Sequence, residues 1–319
     1  MTGDETEDLA GDETGDMTED LTGDETGDET GDETEDLAGD IDGTAARRPV
    51  LVGYDGSDGA KRAVLWASRY AAAAQLPLVV VHCWTWPFFT RDLGPVPGVQ
   101  DSGLRREAER IMAEGQDLAT RAEPDLLVRT RLVVGFPSEA LVRLSAEASL
   151  LVTGTRGLGG FAELLIGSVS LHLAASASCP VMVVRDARPT HDTVVVAVDG
   201  SPASDRAAAT AADIARTLHK RLQLLHVHVQ RRRRQTGARP EGRDPVLERA
   251  ATLLAGITDL TITEDSSASS SAPGLIVQRT SNASCVFLGA RGSHSTPTKL
   301  GSTIHAVLHH AKGNVGVVP

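Results

Sequence analysis

Two glycine-framed segments hold the residue types best placed to do chemistry. Gly154-Thr155-Arg156-Gly157 is separated by nine residues from Gly167-Ser168. Glycines there let the backbone approach a ligand closely, because no Cβ intervenes. The segment after Gly167 opens a helix, where unpaired amides and the helix dipole favour a phosphate. Ser168 adds a hydroxyl and Arg156 a charge, and charge-assisted hydrogen bonds of this kind contribute about 1.5–3 kcal/mol each. One G-x-x-G alone reads as a tight turn between strand and helix. Three phased features there point instead to an anion cradle at the carboxyl ends of the strands, where open α/β sheets bind ligands.

The second segment is Gly289-Ala290-Arg291-Gly292, followed after only eight residues by Gly301-Ser302. The missing residue is expected to displace the helix start by up to ~3.5 Å. Pro297 stiffens the connection, while His294 and Lys299 join Arg291 in keeping it basic. Ahead of each frame stands an acid on a turn, Asp55-Gly56-Ser57 and Asp199-Gly200-Ser201. An acid before Gly-Ser often only caps a turn. Here both acids follow a strand and face the same strand ends as the glycines, which favours a ligand role for Asp55.

Other chemistry finds less support. The sequence has no G-x-x-x-x-G-K-[ST], no H-x-G-H and no S-G-G-x-D-S loop of the adenylating enzymes. Nor does a Ser/His/Asp set follow a nucleophile elbow. No residue reads as a general base for a water beside the phosphates, and no catalytic residue is assigned. His226 and His228 share one face of a strand, and His305, His309 and His310 cluster later, but no carboxylate or cysteine joins them at ligand spacing; no metal site is expected. The three cysteines, Cys83, Cys179 and Cys285, lie far apart beside apolar residues, which argues against disulfides and suits a reducing cytoplasm. Arg231–Arg234 has no aromatics interleaved and reads as a solvated loop, so no nucleic acid is expected.

The elements that must position these residues alternate. Pro49–Tyr54 is a short apolar strand, and Ala60, Ala63, Val64, Ala67, Tyr70, Ala71 and Ala74 then recur at helical spacing. Leu78–Cys83 is a strand, Leu104–Arg121 a helix, Val128–Val134 a strand and Ser138–Glu147 a capped helix. Leu150–Thr153, Gly167–Ser176 and Val181–Val184 complete a strand, helix, strand series. Apolar strands interleaved with helices imply a parallel sheet covered on both faces. The order then begins again. Val194–Ser201 repeats the opening strand and turn, Leu224-Leu225-His226-Val227 repeats Val80-Val81-His82-Cys83, and Ala283–Gly289 repeats Ala148–Gly154. The repeat loses residues from its middle, where Asp265–Gly274, rich in Ser and Ala, reads as a flexible loop.

In front of this duplication lies an acidic segment. Of 43 acidic residues, 19 fall in residues 1–43 with no Lys or Arg, so that the overall charge of −12 divides into −19 there and +7 for the rest. GDET occurs five times, starting at Gly3, Gly11, Gly23, Gly27 and Gly31. Such a segment buries too little apolar area to offset its chain entropy, and residues 1–45 are expected to be a disordered, solubilising tail. No EF-hand loop pattern is present. The longest apolar runs are strand-length, far from the ~20 residues of a membrane span. No basic segment leads into an apolar one at the start, so a cytoplasmic chain is expected. Thr85–Phe89 continues Trp84 as an apolar loop suited to core or lid packing.

Residues 48–187 and 192–319 each resemble the universal stress protein domain. The family fingerprint G-x-x-G-x9-G-[ST] is met in full by Gly154, Gly157, Gly167 and Ser168, supported by Val52-Gly53-Tyr54-Asp55-Gly56-Ser57 and by Ala177–Val184. The resemblance implies an α/β fold of two tandem five-stranded parallel sheets, strand order 3-2-1-4-5, with helices on both faces. It also implies ATP binding, with Mg2+, in the subset that keeps the fingerprint. By position, Asp55 and Gly56 would lie near the adenine with Cys83 lining its pocket. Thr153, Gly154, Arg156, Gly157, Gly167, Ser168, Val169 and Ser170 would surround ribose and phosphates. Their repeats are Asp199, Gly200, Val227, Gly289, Arg291, Gly292, Gly301, Ser302 and Thr303, in a second frame that departs from the fingerprint by one residue. The implied role is a stress-response or signalling module acting through bound ATP, with the two domains paired within the chain and a homodimer as a further assembly. A slow ATPase or nucleotidyl-transfer enzyme and a nucleotide-free scaffold are the alternatives.

Overall fold

A computed structural model describes residues 47–84, 103–157, 166–229, 243–292 and 300–319. The acidic tail, the Thr85–Phe89 loop, the Arg231–Arg234 run and the residues between Gly292 and Leu300 lie outside the described residues. The first half runs β1 (Val50–Gly53), α1 (Asp58–Ala74), β2 (Leu78–Trp84), α2 (Gly103–Ala122), β3 (Val128–Val134), α3 (Pro137–Leu144), β4 (Leu150–Gly154), α4 (Ser168–Ser176) and β5 (Val181–Val184). The second runs β6 (Thr193–Ala197), α5 (Pro202–Thr217), β7 (Arg221–Val229), α6 (Pro245–Leu253), β8 (Ile262–Ser269), α7 (Ala272–Thr280), β9 (Cys285–Gly289), α8 (Ser302–His310) and β10 (Asn314–Val318).

Each half has the strand order 3-2-1-4-5, and the two sets form one ten-stranded sheet, β3-β2-β1-β4-β5-β10-β9-β6-β7-β8. The seam is the single antiparallel ladder among the described residues, β5 against β10, pairing Val181 with Val317 and Val183 with Val315. Two separate sheets were expected from the duplication; continuity arises because the last strand of each half is an open edge of matching apolar character. Side chains alternate across the sheet. Val50 and Val52 face a core built with α1, α2, α5 and α6. Leu51 and Leu151 face the opposite core, built with α3, α4, α7 and α8. The central strands β4, β5 and β10 are therefore buried on both faces, as their continuous apolar runs require, whereas the outer strands β3 and β8 are partly exposed.

One sequence expectation is corrected here. Asp265–Gly274 is not a flexible loop but the end of β8 and the start of α7. Eight consecutive register pairs, Leu222↔Ile262 through Val229↔Ser269, hold β8 against β7. Its polar, Ser-rich composition suits an outer edge strand that has one neighbour, and tertiary pairing overrides its weak strand propensity. The shortening of the second half lies earlier. Val128 follows its pairing position Leu78 by 50 residues, whereas Ile262 follows Leu222 by only 40. The residues are lost around α6, which spans 9 residues where α2 spans 20.

Candidate functional site

At the carboxyl end of β1, Asp55 and Gly56 form the turn that starts α1. Gly56 has φ +83° and Gly200 φ +79°, a left-handed conformation that glycine adopts without strain. The Asp55 carboxylate accepts the Ser57 amide at 3.0 Å, and Ser57 Oγ caps the helix by accepting from Ala60 N at 3.2 Å. The second half repeats both bonds, Ser201 N to Asp199 Oδ1 at 3.0 Å and Ser204 N to Ser201 Oγ at 3.2 Å. The cap hydroxyls also reach the glycine frames: Ser57 Oγ donates to the Arg156 carbonyl at 3.1 Å, and Ser201 Oγ to that of Arg291 at 3.5 Å. Turn and frame are therefore joined in each half.

The frame glycines divide by role. A Cβ on Gly154 would strike the backbone of Gly59, 2.6 Å from its carbonyl oxygen, so the absence of a side chain at Gly154 admits the first turn of α1. Gly289 does the same for Ala203, whose carbonyl oxygen would lie 2.7 Å from the added carbon. A Cβ on Gly157 would collide with the Asp55 carboxylate, which places this acid directly over the loop. Gly167 and Gly301 are the N-caps of α4 and α8, with ψ 153° and 143°; neither helix has a side-chain cap bond or an acid in its first turn. The Gly167 amide donates to the Thr155 carbonyl, and the Gly301 amide to that of Ala290 at 3.4 Å. The expected displacement of the second helix start is thereby corrected: the same backbone bond ties frame to cap in both halves, despite the missing residue.

The halves differ beneath the loop. Ser170 Oγ donates to the Gly154 carbonyl at 2.8 Å and lies 3.4 Å from Thr153 Oγ1, both buried. Leu288 and Ile304 stand at these positions in the second half and are buried apolar residues. Ser168 and Arg156 are exposed, and Val169 and Cys83 pack against the core on that face.

In the second half the candidates surround one cavity of about 320 Å³. Asp199, Val227, Gly289, Arg291, Gly292, Gly301, Ser302 and Thr303 line it; Gly200 does not, and shapes the adjoining turn instead. Sequence reasoning missed Ser204, Ala272 and Ile276 on its wall. The last two belong to α7, whose first turn overlaps the segment expected to be a flexible loop. His226 also reaches the cavity.

Cys83 packs against the core of its sheet face, and its thiol is held in the neutral form. Burial pushes its thiol up to about 12, against a smaller opposing pull from Arg143. Burial likewise raises Cys179 to about 11 and Cys285 to about 12. Thiolate is the reactive form, so the native thiols should react with a disulfide reagent at pH 8 at least tenfold more slowly than a free cysteine. Three thiols should titrate promptly once the chain is unfolded. Rapid modification of Cys83 in the folded protein would contradict this placement.

The described residues contain no helix long and apolar enough to cross a membrane. The model of the universal stress protein family matches residues 46–185 and again 190–319. A universal stress protein of Mycobacterium tuberculosis is 33% identical over 287 residues, covering 82% of this chain and 94% of that protein. One from Thermus aquaticus is 36% identical over 148 residues, 43% of this chain and 98% of its own length. Among solved structures, a universal stress protein from Archaeoglobus fulgidus superimposes with a TM-score of 0.65 over 85% of this chain and 98% of its own; at 20% identity this likeness speaks for the fold alone. Two family matches that fill both halves, and a two-domain relative aligned along most of its length, show that the chain belongs to the universal stress protein family as a tandem member.

Proposed function

We propose that the chain is an ATP-binding stress-response module that takes one ATP, with Mg2+, at the glycine frame of each half. The observation that carries this reading is the repeated helix start: in both halves a glycine N-cap leaves the first amides of a nine-residue helix without a side-chain acceptor or a nearby acid. That is the local chemistry a phosphate group seeks. Arg156 and Arg291 at the frames, with Ser168 and Ser302 in the first helical turn, would hold the phosphates. Asp55 and Asp199 would face the nucleoside, with Cys83 and Val227 packed beneath it. A cavity of about 320 Å³ in the second half is at the lower end of small-molecule sites.

Binding alone suffices as a mechanism. A ligand that prefers one conformation shifts its population. It also stabilises the fold, by about 2.7 kcal/mol at a free concentration 100-fold above its dissociation constant. The test is calorimetric titration with ATP and Mg2+ on wild type, Gly167→Asp and Gly301→Asp. Aspartate is a favoured N-cap, so both variants keep a helix-compatible residue while setting a carboxylate where phosphate would sit. The expected stoichiometry is two per chain, one for each variant, and none for the double variant. No binding to folded wild type would overturn the reading in favour of a nucleotide-free scaffold. Phosphate release that Gly167→Asp abolishes would make the module an ATPase.

A further inference from the structure

Beside the second-half cavity, two side chains of one strand and one from the start of the next helix converge on one point. His226 and His228 project from the same face of β7, and Asp244 opens α6 beyond the intervening connection. Asp244 Oδ2 lies 2.8 Å from His226 Nδ1 and 2.8 Å from His228 Nε2. Ser266 Oγ on β8 completes the group, 2.8 Å from the same carboxylate oxygen and 2.9 Å from His228 Nε2. The other carboxylate oxygen is engaged by the Val246 amide at 3.0 Å, which fixes the orientation of the group.

Three donors crowd one carboxylate oxygen of Asp244, while the other oxygen is already committed to the helix cap. Each ring nitrogen must carry a proton to make its bond, and the hydroxyl needs a third. A single divalent cation can replace these protons and satisfy both imidazoles and the carboxylate together. The three donor atoms all lie within 4.8 Å of one another. Zinc bonds to nitrogen and oxygen of about 2.0–2.2 Å put ligand atoms in a tetrahedral site a little over 3 Å apart. A small turn of the carboxylate therefore opens the group to accept the ion. The donor set, two imidazoles and one carboxylate, is that of sites which keep a fourth position open. Burial is graded in the same sense: the Asp244 side chain is 6% exposed, His226 18% and His228 46%, so the cluster is anchored inside and reachable from solvent.

We propose that His226, His228 and Asp244 bind one divalent transition cation of the Zn2+ class, with the Ser266 hydroxyl or a water in the fourth position. The site clamps β7, β8 and the start of α6 and places positive charge at the cavity wall through His226. It does not depend on nucleotide binding. The sequence concealed it because Asp244 lies 16 residues from His228, across residues 230–242.

The experiment is a Zn2+ titration of the tag-free full chain, in competition with a chromophoric chelator and with no nucleotide present. Wild type is expected to bind one Zn2+ per chain. Asp244→Asn keeps a good helix cap and supplies a poor metal ligand; it should weaken that binding at least tenfold, as should His228→Ala at its exposed position. Paired substitution of the other histidine cluster, His305→Asn with His309→Asn, should leave affinity unchanged. The proposal is overturned if folded wild type takes up no Zn2+ from the chelator, if Asp244→Asn and His228→Ala bind as wild type does, or if the His305 and His309 pair alone abolishes uptake.

Discussion

Asn314→Leu should lower the stability of the chain by about 3–5 kcal/mol, summed from buried partners left unmade at ~1–3 kcal/mol each. Asn314 is 1% exposed at the start of β10. Its side-chain oxygen accepts the amides of Arg185 at 2.8 Å and Asp186 at 2.9 Å, and its amide donates to the Asp186 carbonyl at 2.9 Å. The first two residues after β5 are thus held by a side chain from the far end of the second half. The same corner buries the Arg185 guanidinium, which donates to the carbonyls of Leu308 and Gly313. Its pKa falls to about 10 because burial disfavours the charge. Leucine keeps the heavy-atom branching of asparagine and restores none of these bonds. Urea unfolding followed by far-UV circular dichroism reads the effect as a shift in midpoint. Asn314→Asp keeps an acceptor for the two amides but sets an oxygen against the Asp186 carbonyl and buries a charge, so it should not restore stability. A loss below ~1 kcal/mol in Asn314→Leu would mean that Arg185 and Asp186 are not anchored there.

Gly154→Ala and Gly289→Ala should each cost about 1–3 kcal/mol, the usual range for overpacking, with the upper end expected because the obstacle is backbone. In both, the new methyl meets the helix that follows the first strand of its half: Gly59 in one, Ala203 in the other. Neither neighbour can swing aside like a flexible side chain, so α1 or α5 must lift from the sheet. Gly256→Ala is the control. Nothing lies within 4 Å of the added carbon, and the substitution should be neutral or stabilising by up to ~1 kcal/mol. If Gly154→Ala unfolded like wild type and lost only ligand affinity, the glycine would serve ligand approach and not helix packing.

The fold was legible in the sequence because both of its signals are local. Val128–Val134 and Val181–Val184 coincide with β3 and β5, where apolar runs are bounded by clear breaks. The offsets between copies carried the strand order into the second half. What the sequence hid was set by pairing across distance. β8 reads as polar loop until its partner β7 is supplied, and the β5–β10 seam joins residues separated by more than 130 positions. The candidate site shows the same division. Spacing revealed the glycines, but not that Gly154 and Gly157 have different tasks, since one is spaced by a helix backbone and the other by the Asp55 carboxylate. Asp244 was invisible for a related reason: its meeting with His226 and His228 depends on where α6 begins.

The antiparallel seam also has a consequence in time. β5 is completed at Val184, and its partner β10 begins only at Asn314. At synthesis rates of ~5–20 residues per second, roughly 7–26 s separate the two on the ribosome. For that interval the first half presents a fully apolar strand, Val181–Val184, with one row of amides and carbonyls unmatched. An unsealed edge is a template for another nascent copy, so slower translation of the second half should raise the yield of cross-paired chains.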